Sequence, residues 1–343
     1  AAMEIGDGKH PVLIDKYLEG KEVEVDAVCD GEQVLIPGIM EHIERAGVHS
    51  GDAMCVYPGV TLTSDEVDTL VDYTQRVAVA MDYKGLMNVQ FIVMPSANGG
   101  GPAVYIIEVN PRSSRTVPFI SKVTGVPLVK IATNVMLGRS LKQQGYEGGL
   151  YPKLPLVAIK APVFSMSKLV GVDTYLGPEM KSTGEVMGID KTFEGALAKA
   201  LIAANLMLPP TGGALISVAD RDKPEAVSLV KKLAELGYDL YATEGTAAML
   251  QSLGLKAQMT TKKLGEGHPN VVDVIEQGKV HVVINTAHGG RAPLRDGFHI
   301  RRAAVERRIP CFTSLDTAAA AIRCITAGQA MYNVLPVSDY LKR

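Results

Sequence analysis

The second half of this 343-residue chain alternates short apolar runs with helical periodicities, and this alternation constrains the fold more than any other sequence feature. Apolar runs at 214–218, 239–242, 280–285 and 311–312 have the character of buried strands. Helical spacing follows at 224–236, 246–253, 300–308 and 316–326. Strands that alternate with helices favour a parallel sheet covered on both faces. We therefore predict a doubly wound parallel α/β domain here.

A break in the pattern predicts a domain boundary just before this region. Pro209, Pro210, Gly212 and Gly213 lie close together. Such residues favour turns and do not continue a helix. We predict one domain at residues 1–207 and a second at residues 208–343.

The first half has a different pattern. Runs at 12–14, 23–28, 86–93 and 103–109 have strand character, and residues 95–102 have the composition of a hairpin turn. Helices are predicted at 64–81, 119–123 and 128–137. We expect an α+β domain with an antiparallel sheet, in which residues 23–28 alternate between an apolar face and an acidic face.

Composition argues against two classes of partner. The formal net charge is -2 and the sequence pI is ≈ 6.4, so no overall basic surface attracts nucleic acid or an anionic membrane. The sequence contains neither a membrane-spanning apolar run nor a secretory signal pattern, and its four cysteines form no CxxC pair. We expect a cytoplasmic protein with no nucleic-acid or membrane partner.

Polar side chains on the predicted hairpin form the main candidate for chemistry. Gln90 lies on one strand, and the period of two along the other places Glu108, Asn110 and Arg112 on one face. Carboxylate and amide oxygens are suitable ligands for Mg²⁺, and a guanidinium can bind phosphate. Arg115 follows closely and could reach the same anion. On this pattern alone, a solvated strand face would be the commoner explanation.

The surrounding sequence favours function. Residues 106–116 read Ile-Ile-Glu-Val-Asn-Pro-Arg-Ser-Ser-Arg-Thr and resemble the signature of carbamoyl phosphate synthetase large subunits. Further stretches at 38–44, 46–52, 86–91 and 176–188 are similar to the same family, so that the resemblance covers essentially the whole chain. It implies a partial ATP-grasp domain followed by a methylglyoxal-synthase-like domain.

The resemblance also implies residue roles. Gln90, Glu108 and Asn110 would hold Mg²⁺ or Mn²⁺, and Arg112 and Arg115 would be the catalytic cations. The positions implied in ATP binding are Leu18, Glu22, Gly47, Val48, His49, Ser50, Gln90 and Glu108. His42 is interpreted as a packing or hydrogen-bonding residue. The parent enzyme would phosphorylate carbamate with ATP, with K⁺ as a further candidate ion and a glutaminase small subunit as partner.

Residues 213–325 resemble the methylglyoxal-synthase-like domain of these subunits. The family binds a nucleotide monophosphate effector such as UMP there. The matching positions are Lys223, Thr243, Thr246, Lys263, Asn285, Thr286 and Thr313. The threonines could instead be helix caps, a role compatible with phosphate binding.

The sequence leaves two alternative functions to consider. An active methylglyoxal synthase would need an acidic catalytic motif, which we do not find in the residues after Asn285. The chain could also be a nucleotide-binding regulatory module without activity, because the glycine-rich phosphate loop of the family lies upstream of the residues matched here. We therefore expect no carbamoyl phosphate synthesis by this chain alone, and we expect its exposed apolar surface to favour a homo-oligomer.

Ornithine activates some members of the family. Glu44, Asp52 and Thr313 match positions used for ornithine, but Ala161 stands where a glutamate would be expected. Loss of a carboxylate that pairs with an ammonium weakens such a site. We expect a response to pyrimidine nucleotides and little response to ornithine.

Overall fold

The computed structural model describes residues 16–95, 101, 103–169, 171–262, 267–287, 291–328 and 332–342, without the side chains of 291–296. The described residues form an antiparallel sheet in the first half of the chain and a parallel sheet in the second. Both fold classes predicted from the sequence are confirmed. The predicted strand at 12–14 lies outside the described residues.

The first sheet has nine strands in the described part of the chain. They are β1 (Lys21–Asp30), β2 (Val34–Ile36), β3 (Ile39–His42), β4 (Cys55–Tyr57), β5 (Lys84–Met94), β6 (Ala103–Asn110), β7 (Gly149–Leu150), β8 (Val157–Val163) and β9 (Gly184–Asp190). The order is β6-β5-β1-β3-β4-β8-β9, while β2 pairs with both β1 and β7. Four helices accompany this sheet: α1 (Ser64–Ala80), α2 (Val117–Thr124), α3 (Leu128–Met136) and α4 (Phe193–Ala203).

The alternation predicted for residues 23–28 is present in β1. Val23, Val25 and Ala27 are fully buried in an apolar cluster with α1 residues, and the intervening acidic side chains lie on the opposite face. Helix α1 starts at its predicted residue, where Thr63 and Glu66 form a capping box. Such a cap stabilises a helix by about 1 kcal/mol.

The second sheet is parallel, with strand order β12-β11-β10-β13-β14. Its strands are β10 (Gly213–Ser217), β11 (Asp239–Thr243), β12 (Ala257–Thr260), β13 (Val282–Asn285) and β14 (Cys311–Phe312). The helices that follow are α5 (Lys223–Glu235), α6 (Glu244–Ser252), α7 (Val271–Glu276), α8 (Arg291–Glu306), α9 (Leu315–Thr326) and the short α10 (Val337–Tyr340). Because the strand order reverses between β10 and β13, a crevice is expected at their carboxyl ends.

The two halves pack through a shared apolar cluster. Met54 and Ile159 of the first sheet belong to the same buried cluster as Ala214 and Ile216 of the second. The chain then returns to the first half, where Tyr340 of α10 packs into the cluster formed around α2 and α3. The Tyr340 hydroxyl accepts a hydrogen bond from Lys199 Nζ at 2.9 Å.

The described helices include none that is both long and apolar enough to cross a membrane.

Candidate active site and effector site

A β-bulge aligns the candidate metal ligands on the β5–β6 hairpin. Phe91 faces Ile106, whereas its neighbour Gln90 faces Glu108, so Ile107 is the extra residue on β6. Two residues along each strand, Asn88 faces Asn110. The bulge therefore places Glu108 directly opposite Gln90, on the same face as Asn110.

The amide nitrogens of these side chains are engaged in hydrogen bonds within the protein. Gln90 Nε2 donates to Ser50 Oγ at 3.0 Å, and Asn110 Nδ2 donates to Glu108 Oε1 at 2.7 Å. With both amide nitrogens engaged, the amide oxygens and the exposed Glu108 carboxylate are the groups available as ligands. An all-oxygen set of this kind fits Mg²⁺ or Mn²⁺.

The two candidate catalytic arginines lie in different environments. The prediction that Arg112 continues the strand alternation is wrong, because β6 ends at Asn110 and the Arg112 amide donates back to the Asn110 carbonyl at 2.8 Å. Arg112 is exposed and its Nη1 donates to the Ser113 carbonyl at 2.9 Å. Arg115 is held firmly, with Nη1 2.8 Å from Ser182 Oγ and Nε 3.2 Å from Glu185 Oε1.

The predicted nucleotide loop approaches this face from β3. Gly47 has φ +115°, a conformation that favours glycine, and the Tyr17 hydroxyl donates to the Ala46 carbonyl at 2.7 Å. That bond holds the segment containing Leu18 beside the loop. His49 is oriented by its backbone N–H, which donates to the Gly177 carbonyl at 2.8 Å, and its Nδ1 accepts from the Gly51 amide at 3.0 Å.

Gly47 and Val48 also line a cavity of about 320 Å³ between the two halves, together with Thr286 and Thr313 of the second half. The structure thus divides the predicted nucleotide residues: Ser50 contacts the hairpin, whereas Gly47 and Val48 face this cavity. Candidate residues of both predicted sites meet here.

A buried polar cluster lies on β1, the strand that pairs with β5 of the hairpin, and the sequence analysis assigned a ligand-binding role only to Glu22 from it. Glu24 and Asp26 of β1 both accept hydrogen bonds from Asn88 Nδ2, at 2.8 and 2.9 Å. Thr116 Oγ1 bridges the same two carboxylates, at 3.0 Å from Glu24 and 2.6 Å from Asp26. The acidic alternation of β1 was the available signal, but it does not reveal that these carboxylates are at most 5% exposed.

The proximity of these groups shifts their protonation. Burial and the Glu24 carboxylate raise the pKa of Asp26 to about 7. Burial alone would raise the pKa of Glu24 as well, but the hydrogen bond and charge of His42 and the charge of Lys160 lower it to about 2. Burial likewise raises the pKa of Glu22. A proton on Asp26 beside the ionised Glu24 removes most of the repulsion between the two carboxyl groups.

His42 lies among these carboxylates. Its Nε2 is 3.4 Å from Glu24 Oε2 and its Nδ1 is 3.6 Å from Glu22 Oε1. Burial would lower the pKa of His42, but Cys55 and the two glutamates raise it well above its usual value. The packing and hydrogen-bonding interpretation agrees with this position.

The candidate effector residues gather at the carboxyl ends of the second sheet. Thr243 ends β11, its Oγ1 donates to Ser217 Oγ at 3.2 Å, and it makes no side-chain capping bond to α6. Thr246 Oγ1 accepts from the Val218 amide at 3.3 Å. The Lys223 ammonium lies over the first turn of α6, 3.3 Å from the position a Cβ would take at Gly245. A cation and a helix amino terminus together suit a phosphate.

The remaining effector candidates differ in the hydrogen bonds that their side chains already make within the protein. Thr286 Oγ1 accepts from the Ala219 amide at 3.0 Å. Asn285 is already engaged, because its Nδ2 donates to the Ser217 carbonyl at 3.0 Å and its Oδ1 accepts from Arg301 at 2.6 Å. Lys263 lies outside the described residues.

The positions that match the ornithine site are also engaged within the protein. Glu44 accepts from Thr317 Oγ1 at 2.8 Å and from the Met54 amide at 2.7 Å. Both oxygens of Asp52 accept backbone N–H groups, from Lys181 and Ser182, each at 2.8 Å. Ala161 is fully buried in the apolar cluster shared by the two halves.

Comparison with known proteins places this site in context. The family described as Carbamoyl-phosphate synthase L chain, ATP binding domain, matches residues 1–144, and the MGS-like domain family matches residues 225–313. Among solved structures, the biotin carboxylase domain of a single-chain bacterial carboxylase is 20% identical with a TM-score of 0.43, covering 54% of this chain and 47% of that one.

Curated relatives resemble nearly the whole chain. The carbamoyl phosphate synthase large chain of Thermomicrobium roseum is 57% identical over 97% of this chain and 30% of its own length. The large chain of Caldanaerobacter subterraneus subsp. tengcongensis is 52% identical over 99% of this chain and 30% of its own length. The chain thus spans about 30% of the length of these relatives. One family matches the first half of the chain, another matches the second half, and both relatives are carbamoyl phosphate synthase large chains. The chain therefore belongs to the carbamoyl phosphate synthase large-chain family and carries its ATP-binding and MGS-like regions.

Proposed function

We propose that this chain supplies the carbamate-phosphorylating ATP site and the effector site of a carbamoyl phosphate synthase. The observation that carries the proposal is the bulged hairpin, where Glu108 faces Gln90 next to Asn110. This oxygen cluster lies in a chain that is 57% identical to a carbamoyl phosphate synthase large chain.

The proposed roles follow from position and chemistry. Gln90, Glu108 and Asn110 would hold Mg²⁺ or Mn²⁺, which when bound neutralises charge on the phosphates of ATP. Arg115, fixed by Ser182 and Glu185, would keep a guanidinium directed at the transferring phosphoryl group. The exposed Arg112 would bind the same anion after a side-chain rotation. Ammonia would come from a glutaminase subunit that contacts mainly other parts of the complete cytoplasmic enzyme.

The test uses the complete large chain, in which the amino-terminal half is expected to phosphorylate bicarbonate. We expect E108Q to abolish carbamoyl phosphate formation while bicarbonate-dependent ATP hydrolysis continues. Unchanged carbamoyl phosphate formation in E108Q would contradict the assignment. Loss of both reactions in a folded variant would mean that Glu108 does not serve the second phosphorylation alone.

A second candidate function applies to the chain by itself: a nucleotide-binding regulatory module without catalysis. The position of Lys223 over the first turn of α6 favours it. Titration calorimetry with UMP is expected to give saturable binding, while bicarbonate, ammonia and Mg²⁺-ATP yield no carbamoyl phosphate. Sustained, ammonia-dependent carbamoyl phosphate synthesis by the purified chain would refute its inactivity.

A further inference from the structure

Three potential metal ligands meet on neighbouring strands of the first sheet. Glu24 on β1, His42 on β3 and Cys55 on β4 each offer one ligand atom, and these atoms all lie within 4.8 Å of one another. His42 and Cys55 face each other in the strand register. All three residues are buried. Ligands on adjacent strands of a packed sheet are held by the backbone, so small side-chain rotations would bring them around one ion.

The chemistry of this set differs from that of the hairpin. A thiolate, an imidazole and a carboxylate are ligands for Zn²⁺ and similar transition metals, whereas Mg²⁺ takes oxygen ligands. Zinc binds these atoms at about 2.0–2.3 Å, so neighbouring ligand atoms are separated by roughly 3–4 Å. The 3.4 Å between His42 Nε2 and Glu24 Oε2 already falls in that range.

A second observation concerns the orientation of the His42 ring. The side chain of His42 is 1% exposed, and among the described residues its buried Nδ1 has no hydrogen-bond partner. The nearest carboxylate to this nitrogen is that of Glu22, at 3.6 Å. Metal-bound histidines usually donate the N–H of their second ring nitrogen to a carboxylate. With Nε2 on a metal, Nδ1–H would be directed at Glu22 in this manner.

The surrounding charges are compatible with a divalent ion. Lys160 is 1% exposed, faces Cys55 in the strand register and donates from Nζ to the Ser50 carbonyl at 3.0 Å. The negative charges of Glu24 and a metal-bound Cys55 thiolate would offset those of Lys160 and the ion, and Glu22 and Glu44 are further buried carboxyl groups nearby.

We propose that Glu24, His42 and Cys55 bind one Zn²⁺-class transition-metal ion, with a fourth coordination position open to water. Its ligands differ from the oxygen ligands of the hairpin, although Glu24 lies directly opposite Gln90 in the strand register. The proposal does not depend on the proposed catalytic function.

Co²⁺ provides the most direct test, because thiolate coordination gives a charge-transfer absorption band in the near ultraviolet. The chelator-treated chain is titrated with Co²⁺ and then with Zn²⁺. We expect one equivalent of Co²⁺ to produce the band and one equivalent of Zn²⁺ to remove it. Calorimetry in buffers of different ionisation enthalpy should detect proton release, because the ligands bind deprotonated. The absence of a thiolate band in the folded wild-type chain would overturn the proposal without any variant.

Two variants locate the site. C55A is expected to lose the band, and C29A is the matched control, because Cys29 is also buried but lies on the apolar face of β1. E108Q should retain Co²⁺ binding and so separate this site from the hairpin. A band that persists in folded C55A or disappears in folded E108Q would contradict the assignment.

Discussion

Arg301 of α8 and Asp173 form a bidentate ion pair that joins the two halves of the chain. Arg301 Nε and Nη2 contact the two Asp173 oxygens, each at 2.6 Å, and the arginine is fully buried. Its Nη1 donates to Asn285 at 2.6 Å. On the other side, Lys181 Nζ donates to the Asp173 carbonyl at 3.1 Å. The pair therefore connects the candidate effector edge with the segment that holds Arg115 through Ser182.

We expect D173N to lower the free energy of unfolding by about 3 kcal/mol, because it removes the bidentate carboxylate that contacts a fully buried guanidinium. Burial would raise the pKa of Asp173, but Arg301 lowers it. The contribution of this ion pair to the free energy of unfolding is therefore present above the unfolded pKa of about 4 and is lost as pH falls towards the folded pKa. Urea unfolding at several pH values measures both effects.

The matched control for D173N is D316N, which removes another ion pair between the halves. Arg45 and Asp316 are 3.2 Å apart, but the arginine side chain is 47% exposed. Exposed pairs contribute about 0–1 kcal/mol. Equal decreases in the free energy of unfolding in D173N and D316N would show that the burial of Arg301 does not determine how much its ion pair contributes to stability.

The hairpin site predicts a charge-specific effect on nucleotide binding. In the complete large chain, E108Q should weaken Mn²⁺-ADP binding at this site by at least about tenfold, because a neutral amide replaces the single carboxylate of the ligand set. E147Q changes an exposed glutamate outside this site and should bind normally. Calorimetry with and without Mn²⁺ separates metal-dependent affinity from any change in the fold. An equal affinity in E108Q and wild type would exclude Glu108 as a ligand.

Local signals were sufficient to predict the secondary structure that flanks the sites. Pro, Gly and apolar spacing predicted the β5–β6 hairpin and four of the five strands of the parallel sheet, but not β12. The capping residue Thr63 coincides with the start of α1. Helix α8 begins earlier than the predicted residue 300, at Arg291. Strands β8 and β9 were not predicted from periodicity, because β8 is buried along most of its length and has no simple apolar alternation.

Sequence patterns could not predict the tertiary contacts of the site. The period of two places Arg112 with Glu108, but it cannot indicate that Ile107 forms a bulge or that β6 ends at Asn110. Pairing between distant strands also determines that Lys160 faces Cys55. The residues next to Lys160 and Cys55 in the sequence do not indicate that the two face each other.

The raised pKa of Asp26 beside the ionised Glu24 predicts a pH-dependent stability. A folded pKa of about 7 for Asp26 means that the folded state retains a proton that the unfolded state has lost. The contribution is therefore full below about pH 4 and decreases, by up to about 1.4 kcal/mol per pH unit, until the folded carboxyl also ionises. D26N removes this term.

Relative to wild type, D26N should gain stability between pH 5 and pH 7 and show a constant difference above about pH 7.5. Urea unfolding of chelator-treated protein is the measurement. A difference between D26N and wild type that does not vary with pH would show that Asp26 is ionised throughout this range in the folded protein.

The position of Lys223 predicts a phosphate-specific loss of effector binding. A charge-assisted hydrogen bond contributes about 1.5–3 kcal/mol, so K223A should weaken UMP binding by roughly 10- to 100-fold. Uridine has no phosphate, so its affinity should be the same in K223A and wild type. K232A on the same helix is the matched control, because Lys232 pairs with Glu235 at 3.2 Å as Lys223 pairs with Asp220 at 2.7 Å, but it lies in the last turn of the helix. If K223A weakened uridine and UMP equally, Lys223 would maintain the shape of the site and would not bind the phosphate.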